Sequence, residues 1–252
     1  MKKLFFITII AMSINLFAKN DSKLLQPVEI PETKLIANKN ELSQSSEKND
    51  CFSRMALIIN IDNYKLNTKQ ETEIIKTSLI KNNYQVWQVS NLKTLELKAV
   101  IDKFVSNAQT NNSEIIIYYT GHGFSQNNNT FLSTTDGYVA LNYIYQKISS
   151  IKKVKVLFLN ACREVKAGIK IISANKITEQ IPENTFALFS SAIGRTAPNT
   201  TDFVKLITKA IDLTMELNEI AIYINDRNTC KCLSPVLKST MNQKYYITPL
   251  NK

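Results

Sequence analysis

The chain has 252 residues, of which 44% are hydrophobic and 21% charged, and it carries a formal net charge of +10. This length and composition suit one domain of roughly 200 residues with a full hydrophobic core. The lysines are spread along the chain and form no Lys/Arg block interleaved with aromatic residues. The basic charge therefore indicates a solvated, charged surface and argues against a nucleic-acid partner.

The first 18 residues have the three parts of a secretory signal peptide. Lys2 and Lys3 are basic, residues 4–17 are apolar, and Ala18 stands at the expected cleavage point. The apolar run is shorter than the roughly 20 residues that span a bilayer, so a signal peptide is favoured over a membrane anchor. We expect a periplasmic or secreted bacterial protein with no stable membrane insertion after signal removal. Cleavage removes two lysines and lowers the net charge from +10 to +8.

The cysteines bear on this localisation, because exported proteins fold where disulfides persist. The chain has four, Cys51, Cys162, Cys230 and Cys232. If the second is a free thiol, Cys51 can pair with Cys230 or Cys232, or all three can stay unpaired. A single histidine and a lone Cys-Lys-Cys do not supply the ligand pairs usual for zinc, so no metal site is predicted.

In chain order, residues 19–50 come next; they are polar, contain Pro27 and Pro31, and are typical of a linker or pro-segment. Over residues 51–252, apolar runs alternate with amphipathic stretches, which indicates one α/β domain. The predicted strands cover residues 55–61, 84–89, the apolar run that starts at 114, 154–159, 185–191 and 245–248, with a short hairpin arm at 131–133. The predicted helices cover residues 71–82, 94–108, 141–148, 202–211 and 215–227. This alternation predicts a largely parallel sheet with helices on both faces.

The only histidine, His122, stands between two of the five glycines of the chain. The preceding run is apolar, β-branched and aromatic, which predicts a buried strand, and the glycines let the backbone turn and approach a ligand closely. A second apolar run, residues 154–159, is followed by Asn160, Ala161 and Cys162. Open α/β sheets place their active sites at the carboxyl ends of their strands. We therefore predict that the imidazole and the thiol meet at one edge of the sheet.

A thiol beside an imidazole is a nucleophile with its proton shuttle. An unperturbed cysteine has a pKa of about 8.5, so most of the thiol is protonated at neutral pH until a neighbour stabilises the thiolate. We expect the sulfur of Cys162 to attack a peptide carbonyl and His122 to protonate the departing amine. The backbone N–H groups of Gly123 and Cys162 are the predicted donors to the oxyanion.

Two motifs resemble those that carry catalysis in caspase-like cysteine peptidases, the group of caspases, metacaspases and bacterial relatives: YYTGHG at 118–123 and LNACR at 159–163. The resemblance extends from about residue 54 to 247. It implies a caspase-like three-layer αβα sandwich with a mostly parallel six-stranded sheet. It also implies His122 and Cys162 as the catalytic dyad, the Gly123 N–H in the oxyanion hole, a peptide or protein substrate and a chemistry that needs no cofactor. It leaves the oligomeric state open.

The resemblance also points to substrate-binding residues. Many metacaspase-like members carry Asp two residues before the cysteine, where it helps to bind a basic side chain that precedes the scissile bond; here this position is Asn160. A second acidic position of that pocket corresponds to Glu71, although a residue of this kind is more often simply a helix N-terminal acid favoured by the dipole. Residues 186–197 resemble the strand and loop that line the substrate groove, which adds Ser190 and Ser191. Cleavage after basic residues is therefore a hypothesis.

The leading interpretation is an exported cysteine endopeptidase. An alternative keeps the fold but uses the groove for binding or scaffolding, as inactive relatives do, and Asn160 leaves this open. A nucleotide-binding α/β domain is disfavoured, because the chain lacks a Gly-rich phosphate loop and the P-loop lysine pattern.

Overall fold

The computed structural model describes residues 36–37, 53–62, 68–126, 129–165, 180–197, 200–228 and 233–248. The predicted signal peptide and nearly all of the predicted linker lie outside these ranges, as do Cys51, Cys230 and Cys232. Their predicted roles remain predictions.

Strands and helices alternate along the described chain. In chain order they are β1 (Ile36–Ala37), β2 (Arg54–Asn60), α1 (Thr68–Lys81), β3 (Gln85–Ser90), α2 (Thr94–Thr110), β4 (Glu114–Thr120), β5 (Gly123–Gln126), β6 (Asn129–Ser133), β7 (Tyr138–Ala140), α3 (Leu141–Ile148), β8 (Lys155–Asn160), β9 (Thr185–Phe189), α4 (Asp202–Asp212), α5 (Leu217–Arg227) and β10 (Val236–Ser239). The large sheet has the order β1-β3-β2-β4-β8-β9-β10, and β5-β6-β7 form a small antiparallel sheet.

The large sheet is mostly parallel, as predicted. Its five inner strands run parallel, whereas β1 and β10 pair antiparallel at the two edges. The inner strands and β10 make the six strands expected, and the two-residue β1, which falls within the predicted linker, is a seventh. The closing strand predicted at 245–248 is wrong. Of these residues Tyr246 forms only an isolated bridge to Glu216, and the edge is closed by β10. The strand β10 is only half-buried, so its sequence carries a weak apolar signature.

Helices cover both faces of the sheet. In β2, Met55, Leu57 and Ile59 pack into a cluster with α2 and α3, while the intervening Ala56 and Ile58 pack against α1, α4 and α5. Burial on both faces explains why β2, β4 and β8 read as continuous apolar runs. Each fully buried Ile or Leu stabilises the fold by about 1.5–3 kcal/mol. The molecule is thus the three-layer αβα sandwich expected.

The carboxyl ends of the inner strands are in register. Asn60 pairs with Thr120, and Thr120 pairs with Asn160. Beyond this row the Gly121 N–H donates to the Asn160 carbonyl at 3.2 Å, so the backbones of β4 and β8 stay together past their last paired residues. His122 and Cys162 each follow this row by the same number of residues, which fixes them at one edge of the sheet.

Candidate active site

His122 and Cys162 line one cavity of about 690 Å³ at the carboxyl edge of the large sheet. Both side chains are half-buried, so each is shielded but open to the cavity. The cavity is lined by His122, Gly123, Phe124, Ser133, Thr134, Thr135, Asp136, Gly137, Tyr138, Cys162, Glu164 and Thr196. The structure therefore brings together the two residues that the sequence placed at separate strand ends.

The backbone of His122 is held from two sides. The Ser133 N–H donates to the His122 carbonyl at 2.9 Å, and the Tyr119 hydroxyl lies 2.7 Å from the same oxygen and 3.1 Å from the Ser133 carbonyl. Gly121 allows this arrangement, because a Cβ there would lie 2.7 Å from the Tyr119 hydroxyl and 3.0 Å from the Ile61 carbonyl. Tyr119 is a positioning residue that sequence analysis missed, since its aromatic ring in an apolar strand indicates only a core residue.

The backbone of Gly123, next to His122, lies close to the backbone of Cys162. A Cβ at this position would lie 2.9 Å from both the Cys162 and the Phe131 carbonyl oxygens. Real side chains do not approach backbone oxygen so closely, so any other residue would push apart the segments that carry the imidazole and the thiol. The requirement for glycine here follows from this close approach.

The thiol of Cys162 contacts Ala197. The Ala197 N–H lies 3.3 Å from Sγ and donates to it, and the Ala197 carbonyl lies 3.8 Å from the same sulfur. Burial raises the pKa of the Cys162 thiol; the Ala197 N–H partly offsets this, and the negative charge of Glu164 adds to it. A thiol with a raised pKa is protonated at neutral pH, so it needs a base to take its proton before it can act as a nucleophile.

The residue after the cysteine anchors the neighbouring loop. The Arg163 N–H donates to the Arg195 carbonyl at 2.9 Å, and the Gly194 N–H donates to the Arg163 carbonyl at 2.8 Å. The Arg163 side chain is 1% exposed, and its guanidinium lies 4.0 Å from the centroid of the Phe189 ring. Sequence analysis missed this role, because an arginine at a strand end is usually a surface residue.

Glu71 and Asn160 are in direct contact on the face of the sheet that α1 covers. The Asn160 side-chain amide donates to both Glu71 carboxylate oxygens at 3.0 Å, and the hydroxyls of Thr120 and Tyr118 also donate to this carboxylate. Glu71 is 3% exposed. Burial raises its pKa, and the hydrogen bonds from Thr120, Asn160 and Tyr118 partly offset the increase. The contacts with Thr120 and Asn160 place Glu71 at the same carboxyl edge as the cavity.

Further polar atoms are buried at the strand ends beside Asn160 and in the first turn of α1, which carries Glu71. Asn160 Oδ1, Ser190 Oγ, Asn60 Oδ1 and Thr68 Oγ1 are buried without a hydrogen-bond partner among the described residues. Asn60 pairs with Thr120, and the N–H of Ser190, the residue after β9, donates to the Leu159 carbonyl at 3.0 Å, which places Ser190 beside Asn160. A buried polar atom without a partner costs about 1–3 kcal/mol, so this Glu71 cluster has unused capacity for hydrogen-bond donors of a ligand.

Ser191 contacts the segment that carries Cys162 instead of the Glu71 cluster. It is fully buried, and its hydroxyl donates to the Ala161 carbonyl at 2.9 Å. Its hydroxyl therefore supports the cysteine motif rather than joining the Glu71 cluster. Ser190, by contrast, lies beside Asn160.

Neither a cluster of metal-ligating side chains nor a membrane-spanning helix occurs among the described residues. No group of three or more His, Cys, Asp or Glu side chains there is placed to hold a metal ion. None of the helices in these ranges has both the length and the apolar character to cross a membrane. Cys162 is a free cysteine.

An αβα sandwich that presents a thiol and an imidazole in one cavity has the architecture of a cysteine peptidase domain. Comparison with known proteins makes the assignment specific. The sequence model of the caspase domain matches residues 53–225, which is more than half of the chain. The chain belongs to this family and is a caspase-like cysteine peptidase. A comparison with curated proteins found no match.

Proposed function

We propose that the protein is an exported cysteine endopeptidase in which His122 and Cys162 form the catalytic dyad. The observation that carries this proposal is their shared cavity: the half-buried thiol and the only imidazole of the chain both line it. The family membership makes peptide hydrolysis the reaction class, and the described residues supply a nucleophile and a base for it.

The reaction proceeds through an acyl-enzyme. His122 takes the Cys162 proton as the sulfur attacks the substrate carbonyl carbon, and the N–H groups of Gly123 and Cys162 stabilise the oxyanion. The C–N bond then breaks, and the amine leaves with the proton from His122. Water, activated by the same imidazole, attacks the thioester, which releases the acid and restores the thiol.

The Glu71 cluster favours a basic residue before the scissile bond. A buried carboxylate is stabilised by a cation, and the ammonium of Lys or the guanidinium of Arg provides donors for the unpartnered oxygens of Asn160 and Ser190. Asn160 supports this role by its orientation. Its amide nitrogen faces Glu71, which leaves Oδ1 as an acceptor. The single negative charge of the cluster is thus carried by Glu71.

Export is proposed on the pattern of the first 18 residues. Expression in a bacterial host followed by fractionation and N-terminal sequencing tests it. We expect the chain to be recovered outside the cytoplasm with Lys19 as its first residue. Recovery of an intact Met1 chain from the cytoplasm would contradict export without affecting the proposed chemistry.

An irreversible thiol-directed peptide probe with Lys or Arg before its reactive group tests the dyad. We expect labelling of the wild type, no labelling of Cys162→Ala and a rate of labelling reduced at least about tenfold in His122→Ala, because general-base assistance contributes about 10²–10⁴-fold. Cys51→Ala serves as the matched control and should label like the wild type. Absence of both labelling and turnover on a mixed peptide library would favour a binding or scaffolding protein.

A further inference from the structure

The cavity beside the dyad is acidic in a basic protein. Its acidic lining residues are Asp136 and Glu164, and the described lining residues include no Lys or Arg, although the chain carries a net charge of +10. The cavity is also large, at about 690 Å³, which exceeds the space that a thiol and an imidazole require. This part of the site is separate from the Glu71 cluster, and the proposed reaction leaves its charge unexplained.

The cavity and the Glu71 cluster lie toward opposite faces of the large sheet. Tyr118 packs with the helices α1, α4 and α5 and reaches Glu71. The β6–β7 hairpin, through Leu132 and Val139, packs in the cluster on the other face, and residues 133–138 of this hairpin line the cavity. A peptide bound across Cys162 with its preceding residue in the Glu71 cluster therefore directs the residues after the scissile bond into the cavity.

The carboxylates of Asp136 and Glu164 both line the cavity, where they can contact a bound peptide. Asp136 lies at the hairpin tip, where its Oδ1 accepts from the Thr94 N–H at 2.7 Å and from the Thr94 hydroxyl at 2.9 Å. These bonds, the backbone one foremost, lower the pKa of Asp136, so it is ionised at neutral pH. Glu164 is exposed and lies close enough for its charge to raise the pKa of the Cys162 thiol. Glu164 thus lies in the part of the cavity next to the Cys162 thiol.

An aromatic wall completes the cavity. Tyr138 is 44% exposed, and its ring meets Phe124 edge to face at 4.7 Å between centroids. Phe124 in turn stacks on Phe131 at 4.9 Å. An aromatic surface of this kind packs against the methylene stem of Lys or Arg and attracts its cationic end.

We propose that this cavity binds the residues that follow the scissile bond and selects basic side chains there, so that the preferred substrates carry Lys or Arg on both sides of the cut. The inference rests on the proposed function, because it assumes that the bond is broken at Cys162. The features that carry it are the cavity volume, its place on the opposite face of the sheet from Glu71, two carboxylates with no Lys or Arg among the described lining residues, and the aromatic wall.

Peptide cleavage tests the preference directly. Fluorogenic peptides have Lys fixed before the cut and Lys, Gln or Glu after it, and kcat/KM is measured for the full chain and for Glu164→Gln. We expect Lys to exceed Gln by about fivefold, the range of an exposed ion pair, and Glu to fall below Gln. The ratio should decrease in Glu164→Gln, where Asp136 still contributes its charge, and shrink at high salt. Asp226→Asn, which removes an equal charge from an exposed position on α5, should keep the wild-type ratio.

A binding experiment separates the failure of this inference from the failure of the proposed function. Fluorescent Lys-Lys and Lys-Glu peptides are titrated into the Cys162→Ala chain, with and without Glu164→Gln. Tighter binding of Lys-Lys that is weakened by Glu164→Gln supports the cavity assignment even if the wild type cleaves nothing, an outcome that would reject only the peptidase proposal. Equal binding of both peptides, or a Lys preference unaffected by Glu164→Gln, would overturn the inference.

Discussion

Tyr118 and Tyr119 are neighbours in the chain, yet their hydroxyls act on opposite faces of the sheet. The Tyr118 hydroxyl donates to Glu71, whereas the Tyr119 hydroxyl contacts the His122 carbonyl. The period of a strand, in which successive side chains point to opposite faces, causes this division. One tyrosine therefore positions the proposed specificity carboxylate, and the other positions the proposed base.

Substitution of each tyrosine by Phe should separate the two roles. Tyr119→Phe should lower kcat about three- to tenfold and shift the pH profile of kcat, because the loss of one hydrogen bond loosens the His122 turn. Tyr118→Phe should instead change KM for substrates with Lys before the cut and leave kcat close to wild type. Steady-state kinetics of both variants from pH 5 to 9 would measure these changes in kcat and KM. The same pH profile in Tyr119→Phe as in the wild type would contradict its positioning role.

The raised pKa of Glu71 gives a pH dependence with a defined sign. When the pH falls through this pKa, the carboxylate gains a proton and the pocket loses its charge, so the preference for Lys over Gln before the cut should decrease. Glu71→Gln should show the same low preference at every pH. Competition between the two peptides, followed by mass spectrometry, measures the ratio. A preference that is independent of pH in the wild type would argue against Glu71 as the charge that selects substrate.

The same shift affects stability. Because the pKa of Glu71 is raised in the folded state, its favourable contribution is complete below the unfolded glutamate pKa and is lost as the pH rises through the folded value. Relative to Glu71→Gln, the wild type should therefore lose free energy of unfolding over that pH range. Urea denaturation of both proteins at several pH values measures this difference.

At the scale of the element, the candidate active site depends on strand ends and on the close contact between them. Gly123→Ala should bring a Cβ against the Cys162 and Phe131 carbonyls and lower the free energy of unfolding by about 1–3 kcal/mol, with loss of most activity. Gly137→Ala is the comparison, because its Cβ would meet the Thr94 hydroxyl at 3.1 Å and no backbone oxygen within 4 Å. Thermal unfolding and probe labelling of both variants measure the effects. Equal behaviour of the two would contradict the requirement for close approach at Gly123.

Elements with a strong apolar signature were predictable, and those without one were not. The helix α3 begins and ends as predicted, since half of its residues are buried at helical spacing. The strand β10 was missed, because three of its four residues are only half-buried, Ser239 is exposed, and its position depends on pairing with β9. The strand β1 was missed for a related reason, since two residues on the edge of β3 carry no periodic pattern.

At the scale of the whole molecule, the carboxyl and amino ends of the large sheet have different roles. The carboxyl end carries the cavity. At the amino end, Arg54 forms an ion pair with Glu114 at 2.6 Å, donates to the Ile247 carbonyl at 2.7 Å and lies 5.0 Å from the centroid of the Tyr84 ring. These contacts hold the C-terminal residues around Ile247 against the start of β2.

Arg54→Gln should therefore affect stability more than activity. The loss of a largely buried cation with several partners should lower the free energy of unfolding by about 2–4 kcal/mol, because Glu114 keeps its charge without its ion pair. At a temperature where the variant is folded, kcat should stay close to wild type, since the site lies at the opposite end of the strands. Urea denaturation beside steady-state kinetics tests both. Lys81→Gln, which removes an equal charge from an exposed ion pair with Asp212, should change stability by less than about 1 kcal/mol.

The sequence by itself determined the αβα architecture, the strands that end at His122 and Cys162, and the family, because buried strands and glycine-flanked motifs leave a local pattern. It also placed Glu71 and Asn160 in one proposed pocket through the family resemblance. Only the tertiary structure decided which atoms meet: the hydrogen bonds between Glu71 and Asn160, the Tyr119 hydroxyl on the His122 turn, the buried Arg163, and the acidic cavity formed by Asp136 and Glu164. These contacts join residues far apart in the chain, and local patterns carry no information about such distances.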